Sequence, residues 1–178
     1  MMYDSAIQAK HDCTFAGVSK QYFTCQPLKR LEHVQINEIT RSDYQDWFEM
    51  AQQLWPDYDA DAIEIALTNA QKSPVEAAYL LRNDKLAVGF INLSLRYDHI
   101  PGATQKPVAY IEGVFVRDEF RQHGFGRMLV QQAEEWAIKQ GCAELTSDVT
   151  TDNLPSQEFH RQVGFDDASR VVSFIKTL

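Results

Sequence analysis

In "HVQINEI" (33–39) Val34 and Ile36 alternate with polar neighbours, and a period of two predicts a strand. The period then changes. In "TRSDYQDWFEMAQQLW" the residues Tyr44, Trp47, Phe48, Ala51, Leu54 and Trp55 recur at helical spacing. Thr40 and Asp43 resemble a capping box in front of that helix, and Pro56 stops it. A second helical pattern runs from Asp59 to Gln71, with Ile63, Ala66, Leu67 and Ala70 on one face. "VEAAYLLR" (75–82) and "LAVGFINLSLRY" (86–97) read as strands joined tightly by "NDK", hence a hairpin. After the loop "DHIPGATQKP" (98–107), "VAYIEGVFV" (108–116) is almost continuously apolar, as a central strand buried on both faces should be. Glu112 and Gly113 interrupt it. From Gly124 to Gln140 the pattern is helical, with Met128, Leu129, Ala133, Trp136 and Ala137 on one face and Gly141 as the C-terminal cap. "CAELTSDV" reads as a strand, "SQEFHRQV" (156–163) as a helix and "SRVVSFIKTL" (169–178) as a final strand. The order is β-α-α-β-β-β-α-β-α-β, an α/β fold with a mixed central sheet and helices on both faces.

Residues 1–32 show no sustained period and are expected to be an N-terminal arm, leaving 33–178 as a single domain. The 178 residues suffice for one domain with a core and are too few for two comfortable ones. No apolar run approaches the ~18 residues of a membrane helix. "MMYDSAIQAKHDCTF" has no apolar centre, so a secretory signal is not expected and the cytoplasm is the default compartment. Cys13, Cys25 and Cys142 match no metal or disulfide framework and read as reduced thiols, with Cys142 in the core. The net charge of −8 argues against a general nucleic-acid binder and suits a cationic small partner, although solubility alone would also explain it.

Candidate chemistry centres on "EFRQHGFGRML" (119–129). A buried strand, a short linker and a glycine-rich turn opening a helix form an anion cradle, because the first amides of a helix lack partners and its dipole favours negative charge. Gly124 and Gly126 allow close backbone approach, Arg121 adds positive charge, and a pyrophosphate is the natural occupant. The alternative is a tight turn before a helix. The run is not a dinucleotide fingerprint, since the first glycine is missing, and not a P-loop, since no Lys-Ser/Thr follows.

"VFVRDEFRQHGFGRMLV" resembles the acetyl-CoA signature of the GCN5-related N-acetyltransferase (GNAT) family, and "HRQVGF" (160–165) is similar to its late helix-to-Gly-Phe junction. The resemblance covers about residues 33–178. It implies acetyl-CoA as co-substrate and no metal. It places the pyrophosphate on the amides of Gln122, His123, Gly124, Phe125, Gly126 and Arg127, beside Arg121. It sets the pantetheine arm along the main chain of Val114, Phe115 and Val116, with Asn153 against it. It also implies a strand that splays from its neighbour, and direct attack by an amine in a ternary complex.

Five segments narrow the resemblance to aminoglycoside 6'-N-acetyltransferases: "QLWPDYDAD" (53–61), "SLRYDHIPG" (94–102), "PVAYIEGVFV" (107–116), "CAELTSDVTTDN" (142–153) and "FHRQVGFDDASRVVSF" (159–174). This implies antibiotic resistance, a polycationic substrate and a homodimer. Carboxylates and aromatics should line the amine site: Trp55, Asp57, Tyr97, His99, Glu112 and Asp148 are the substrate-binding candidates. A charged residue inside an apolar strand costs free energy unless solvated or paired, so Glu112 reads either as a substrate ligand and base or as half of a structural ion pair. Asp148 is the second base candidate, with a turn cap as its alternative, and Trp55 could equally be core. His160 stands where many relatives carry a proton-donating tyrosine; a structural role is as compatible. Asp57, Asp59 and Asp61 do not form a calcium loop, because Ala62 and Thr68 occupy the positions that need Gly and Glu. Thr104 and His99 depart from an acidic residue and a tyrosine in that branch, which implies either an altered drug preference or a cellular amine substrate with incidental drug binding. The competing readings are an acetyltransferase for another small amine, such as a polyamine, or for a protein amine, and a non-catalytic acyl-CoA-binding module.

Overall fold

The computed structural model describes residues 33–172 and 174–177; the expected N-terminal arm lies outside the described residues. The elements are β1 (Val34–Glu38), α1 (Tyr44–Leu54), α2 (Ala60–Ala70), β2 (Glu76–Asn83), β3 (Leu86–Arg96), β4 (Val108–Val116), α3 (Phe125–Lys139), β5 (Leu145–Ser147) and α4 (Leu154–Val163). One sheet runs in the order β1-β2-β3-β4-β5. All its neighbours are antiparallel except β4 and β5, which are parallel and joined through α3.

Local chemistry explains the ends. Asp43 accepts the Thr40 amide at 2.9 Å ahead of α1, and Asp59 caps α2 by accepting the Ala62 amide at 2.7 Å. That cap accounts for one of the three aspartates between 57 and 61. The β2–β3 hairpin turns on Asp84 and Lys85, with Asp84 at φ 55°, a left-handed torsion that aspartate tolerates.

Each face of the sheet carries its own core. Leu81, Val88, Ile91, Leu93, Ala109 and Ile111 meet Phe125, Leu129, Ala133 and Trp136 of α3 on one side. On the other, Leu80, Phe90 and Phe115 meet Trp47, Met50, Ile63 and Leu67 of α1 and α2. Ala66, expected on the buried face of α2, is exposed. Cys142 is buried as expected, and burial raises its thiol pKa.

Three features depart from the pattern read in the sequence. Residues 165–172 and 174–177 form no strand, so the last β of the expected order is missing among the described residues. "SRVVSFIKTL" has the β-branched and aromatic composition of a strand, but a strand exists only against a neighbour. Here Phe174 and Ile175 are 93% and 99% exposed. Second, the strand expected in "CAELTSDV" shrinks to Leu145–Ser147. Third, β4 is not buried on both faces throughout. Asn92 pairs with Gly113 while Leu93 pairs with Ile111, so Glu112 is the extra residue of a β-bulge and is turned outward.

Candidate active site

β4 pairs with β5 only from Ala109 to Ile111. Beyond that point β4 keeps β3 on one side, and among the described residues it has no strand partner on the other. The main chain of Val114, Phe115 and Val116 therefore presents an open edge. The mouth of this slot is set by Ser147 and Asp148 at the end of β5 and by the bulged Glu112 on β4.

The glycine-rich turn sits just past that edge. Gln122 and Gly124 both have left-handed torsions, φ 63° and 84°, and Gly124 is the N-cap of α3. Among the described residues the amides of Gln122 to Arg127 have no main-chain acceptor. Free amides at the N-terminus of a 15-residue helix, without an acidic residue in its first turn, suit an anion. Arg121 lies alongside, held by the Val116 carbonyl at 3.0 Å and by Asp118 at 2.9 Å. His123 Nδ1 lies 2.7 Å from the Arg121 carbonyl. Gly126 serves a different purpose. A Cβ there would lie 2.7 Å from Phe159 Cε2, so this glycine lets α4 close onto α3. Arg127 ties the same two helices by donating to the Gln162 carbonyl, which leaves its amide rather than its side chain for the turn. Asn153 caps α4 through Oδ1, which accepts the Ser156 amide at 3.1 Å; its nitrogen is the atom left for a ligand.

The acidic face lies across the slot, on the sheet surface covered by α1. Glu112 accepts Nη2 of Arg96 at 2.7 and 2.8 Å on its two oxygens, and Nε at 3.1 Å. Ser94 donates a short hydrogen bond to its Oε1. Glu112 thus takes the ion-pair alternative in this structure. The Arg96 guanidinium also covers the Tyr110 ring at 4.1 Å. The Tyr110 hydroxyl donates a short hydrogen bond to Oδ1 of Asp148. Burial, then the bond to Asp148, pushes the Tyr110 phenol well above its ordinary range, so it stays a donor. Asp148 is exposed, and its partner is this phenol rather than a turn amide. Trp55 packs against the bulge: a Cβ on Gly113 would lie 2.7 Å from its ring, so glycine is what admits the indole. Trp55 also lies 6.2 Å from Phe90, at the border of core and cleft.

His160 has both nitrogens engaged. Nδ1 lies 2.7 Å from the Ser156 carbonyl and must carry the hydrogen, because a carbonyl only accepts. In the neutral ring Nε2 then accepts from the Ser147 hydroxyl at 3.1 Å. Phe159 and Phe165 pack edge-on around the imidazole.

Asp57, Tyr97 and His99 are exposed, and among the described residues no hydrogen bond or ring contact joins them to Glu112 or Asp148. Thr104 is accounted for: its amide and hydroxyl bond Glu144 at 2.8 and 2.6 Å, and the Gln105 amide adds a third bond at 3.2 Å. The Thr104 hydroxyl, then its amide, holds the Glu144 carboxyl below the usual range. An acidic side chain at 104 would face that carboxylate. Sequence reasoning missed Ser94, Arg96, Tyr110 and Ser147. The usable signal was a polar row, Asn92, Ser94 and Arg96, at every second position of an otherwise apolar strand.

Residues 35–165 match the family model described as acetyltransferase (GNAT) family. The chain belongs to the GNAT acetyltransferase family. Its relatives include the aminoglycoside N(6')-acetyltransferase type 1 of Serratia marcescens, 36% identical over 133 residues that cover 74% of this chain and 91% of the relative. The protein of the same name from Salmonella typhimurium is 31% identical over 141 residues, 79% of this chain and 97% of the relative. Among solved structures, AAC(6')-Iy in complex with the bisubstrate analogue CoA-S-monomethyl-acetylneamine superposes with a TM-score of 0.79 at 30% identity, covering 83% of this chain and 100% of that one. This GNAT domain therefore falls in the aminoglycoside branch, and acetyl-CoA is the co-substrate of such enzymes. The open edge of β4 and the turn before α3 fit that co-substrate: one offers main chain with no strand partner on that side among the described residues, the other amides with no main-chain acceptor.

Proposed function

We propose that the protein transfers the acetyl group of acetyl-CoA to the 6'-amine of aminoglycoside antibiotics, by direct attack with both substrates bound, and so confers resistance. The observation that carries this reading is the meeting of an open strand edge with a carboxylate-rich face at one slot: Val114–Val116 on one side, Glu112 and Asp148 on the other. Acetyl-CoA supplies the acetyl group as an activated thioester. Arg121 and the amides of Gln122, His123, Gly124, Phe125, Gly126 and Arg127 would hold its pyrophosphate. The main chain of Val114, Phe115 and Val116 would pair with its pantetheine arm, and Asn153 would reach that arm through its side-chain nitrogen.

The substrate arrives as an ammonium ion and must lose a proton before its nitrogen can attack. Asp148 is the better base, because Tyr110 engages only Oδ1 and leaves Oδ2 for the amine. Glu112 acts as counter-charge to an ammonium. Trp55 forms one wall, and Asp57, Tyr97 and His99 form the outer rim. His160 accepts the Ser147 hydroxyl and so fixes the end of β5 beside the slot. The test is to incubate the protein with acetyl-CoA and kanamycin and locate the acetyl group by NMR. Acetylation of the 6'-amine supports the reading; acetylation elsewhere, or none, refutes it.

One observation favours a second reading, transfer to a less highly charged amine such as a polyamine or to a protein amine. Glu144 is engaged by Thr104 and Gln105, and no acid stands at 104, so the loop after β3 offers the cleft fewer carboxylates than a polycation site could use.

We further infer a homodimer acting in the cytoplasm, where acetyl-CoA is made. Val171, Val172, Phe174 and Ile175 expose a strand-like apolar run, and the outer edge of β5 is unpaired among the described residues. A second copy offers each feature its match. Light scattering of the full chain against Phe174→Glu/Ile175→Glu tests this: a dimer that becomes a monomer supports it, and an unchanged mass refutes it.

A further inference from the structure

Glu112 and Tyr110 together form a cation receptor, a carboxylate beside an aromatic face, and the structure already holds a cation in it: the Arg96 guanidinium. We propose that Arg96 is the resident occupant of the ammonium subsite, that an incoming amine displaces it, and that it thereby determines which substrates are accepted. The proposal rests on the amine site assigned above.

Four observations carry it. Arg96 and Glu112 are only half-buried, 35% and 34% exposed, so their ion pair is within reach of solvent and of a ligand. A pair of this kind is weakly held, because water competes for both charges. The receptor survives the departure of Arg96: Ser94 still anchors Oε1 of Glu112, and the bond to Asp148 still fixes Tyr110. Finally, replacing one cation by another at the same carboxylate leaves no buried charge unpaired, so the exchange avoids the large penalty of stripping an ion pair.

A tethered guanidinium is a competitor that every substrate must outbid. A polycation does so through its other ammoniums on Asp148 and the acidic rim, while an amine with one or two charges has less to offer. Arg96 would thus bias the site toward highly charged acceptors.

The test uses the full chain with Arg96→Gln and, as a control for overall charge, Lys139→Gln at the far end of α3. Arg96→Gln is expected to lower KM for kanamycin by about three- to tenfold, the range that a half-exposed ion pair and a cation–π contact are worth, with kcat within about twofold. It should lower KM for putrescine at least as much. Lys139→Gln should leave both unchanged. In parallel, the side-chain Nε–H resonance of Arg96, assigned by its absence in Arg96→Gln, should shift when kanamycin is added without acetyl-CoA. An unchanged or higher KM in Arg96→Gln, or a resonance that kanamycin does not move, overturns the proposal and makes Arg96 a fixed buttress for Glu112. If the wild type acetylates no drug, the function assigned above fails, while the resonance still reports whether a polycation displaces Arg96.

Discussion

Gly126→Ala separates the two duties of the glycine-rich turn. Gly126 lies inside α3 with ordinary helical torsions, so alanine adds no backbone strain there. Helix propensity alone would make the substitution stabilising by up to ~1 kcal/mol. Against that, the new methyl would stand 2.7 Å from Phe159 Cε2 and 3.1 Å from its Cζ. Overpacking of this kind costs ~1–3 kcal/mol. Phe159 cannot retreat freely, because it packs on the core and meets His160 edge-on at 5.5 Å. With Phe159 so held, the overpacking falls in the upper part of that range, ~2–3 kcal/mol, and against a gain of ~1 kcal/mol the balance is a net loss of about 1–2 kcal/mol. For a domain of this size that lowers Tm by ~2–8 °C. Calorimetry of the wild type, Gly126→Ala, Phe159→Leu and the double variant forms a complete cycle. The smaller side chain should accept the methyl, so the double variant should lose at least ~0.5 kcal/mol less than the sum of the singles. Gly124→Ala is the contrast: its Cβ would meet nothing within 4 Å, but φ is 84°, so it pays a torsional cost of ~1–2 kcal/mol that Phe159→Leu does not relieve. Unimpaired stability in Gly126→Ala, or strict additivity with Phe159→Leu, would refute the packing role.

Asp148→Asn should reduce kcat by ~10²–10⁴-fold, the span of general-base catalysis, whereas Glu112→Gln should act mainly on KM; steady-state kinetics with kanamycin reads both. Burial, first among the causes, raises the pKa of Tyr44, Tyr79 and Tyr110 above 10.0, so the folded state holds these protons more tightly than the unfolded one. Their contribution is complete below pH 10 and is lost as pH rises above it, and urea titrations should show that decline flattened in Tyr110→Phe. Thr104→Glu should set two carboxylates against each other at Glu144 and release the loop, seen as faster amide hydrogen exchange at residues 103–105 with little change in Tm.

Much of this was legible in the sequence because it depends on local chemistry. The hairpin follows from "NDK" between two apolar runs, and the helix at Gly124 follows from a glycine that must adopt φ 84°. Glu112 was recognisable as anomalous within an apolar strand, but not its bulge: an extra residue is defined only against the register of β3. Its partner was hidden for the same reason, since Arg96 reaches it across the sheet from a position 16 residues away. The final strand was misread because strand propensity carries no information about whether a neighbour exists. His160 was visible as a titratable group near the Gly-Phe junction. Its bond to Ser147 was not, because it joins α4 to β5 through tertiary packing alone.

The central claim is tested most directly by thiol release from acetyl-CoA with kanamycin, tobramycin and spermidine as parallel acceptors, in the wild type and Asp148→Asn. The account predicts turnover with both drugs that exceeds turnover with spermidine and is lost in Asp148→Asn. Turnover with spermidine alone, or drug turnover that survives in Asp148→Asn, would contradict it.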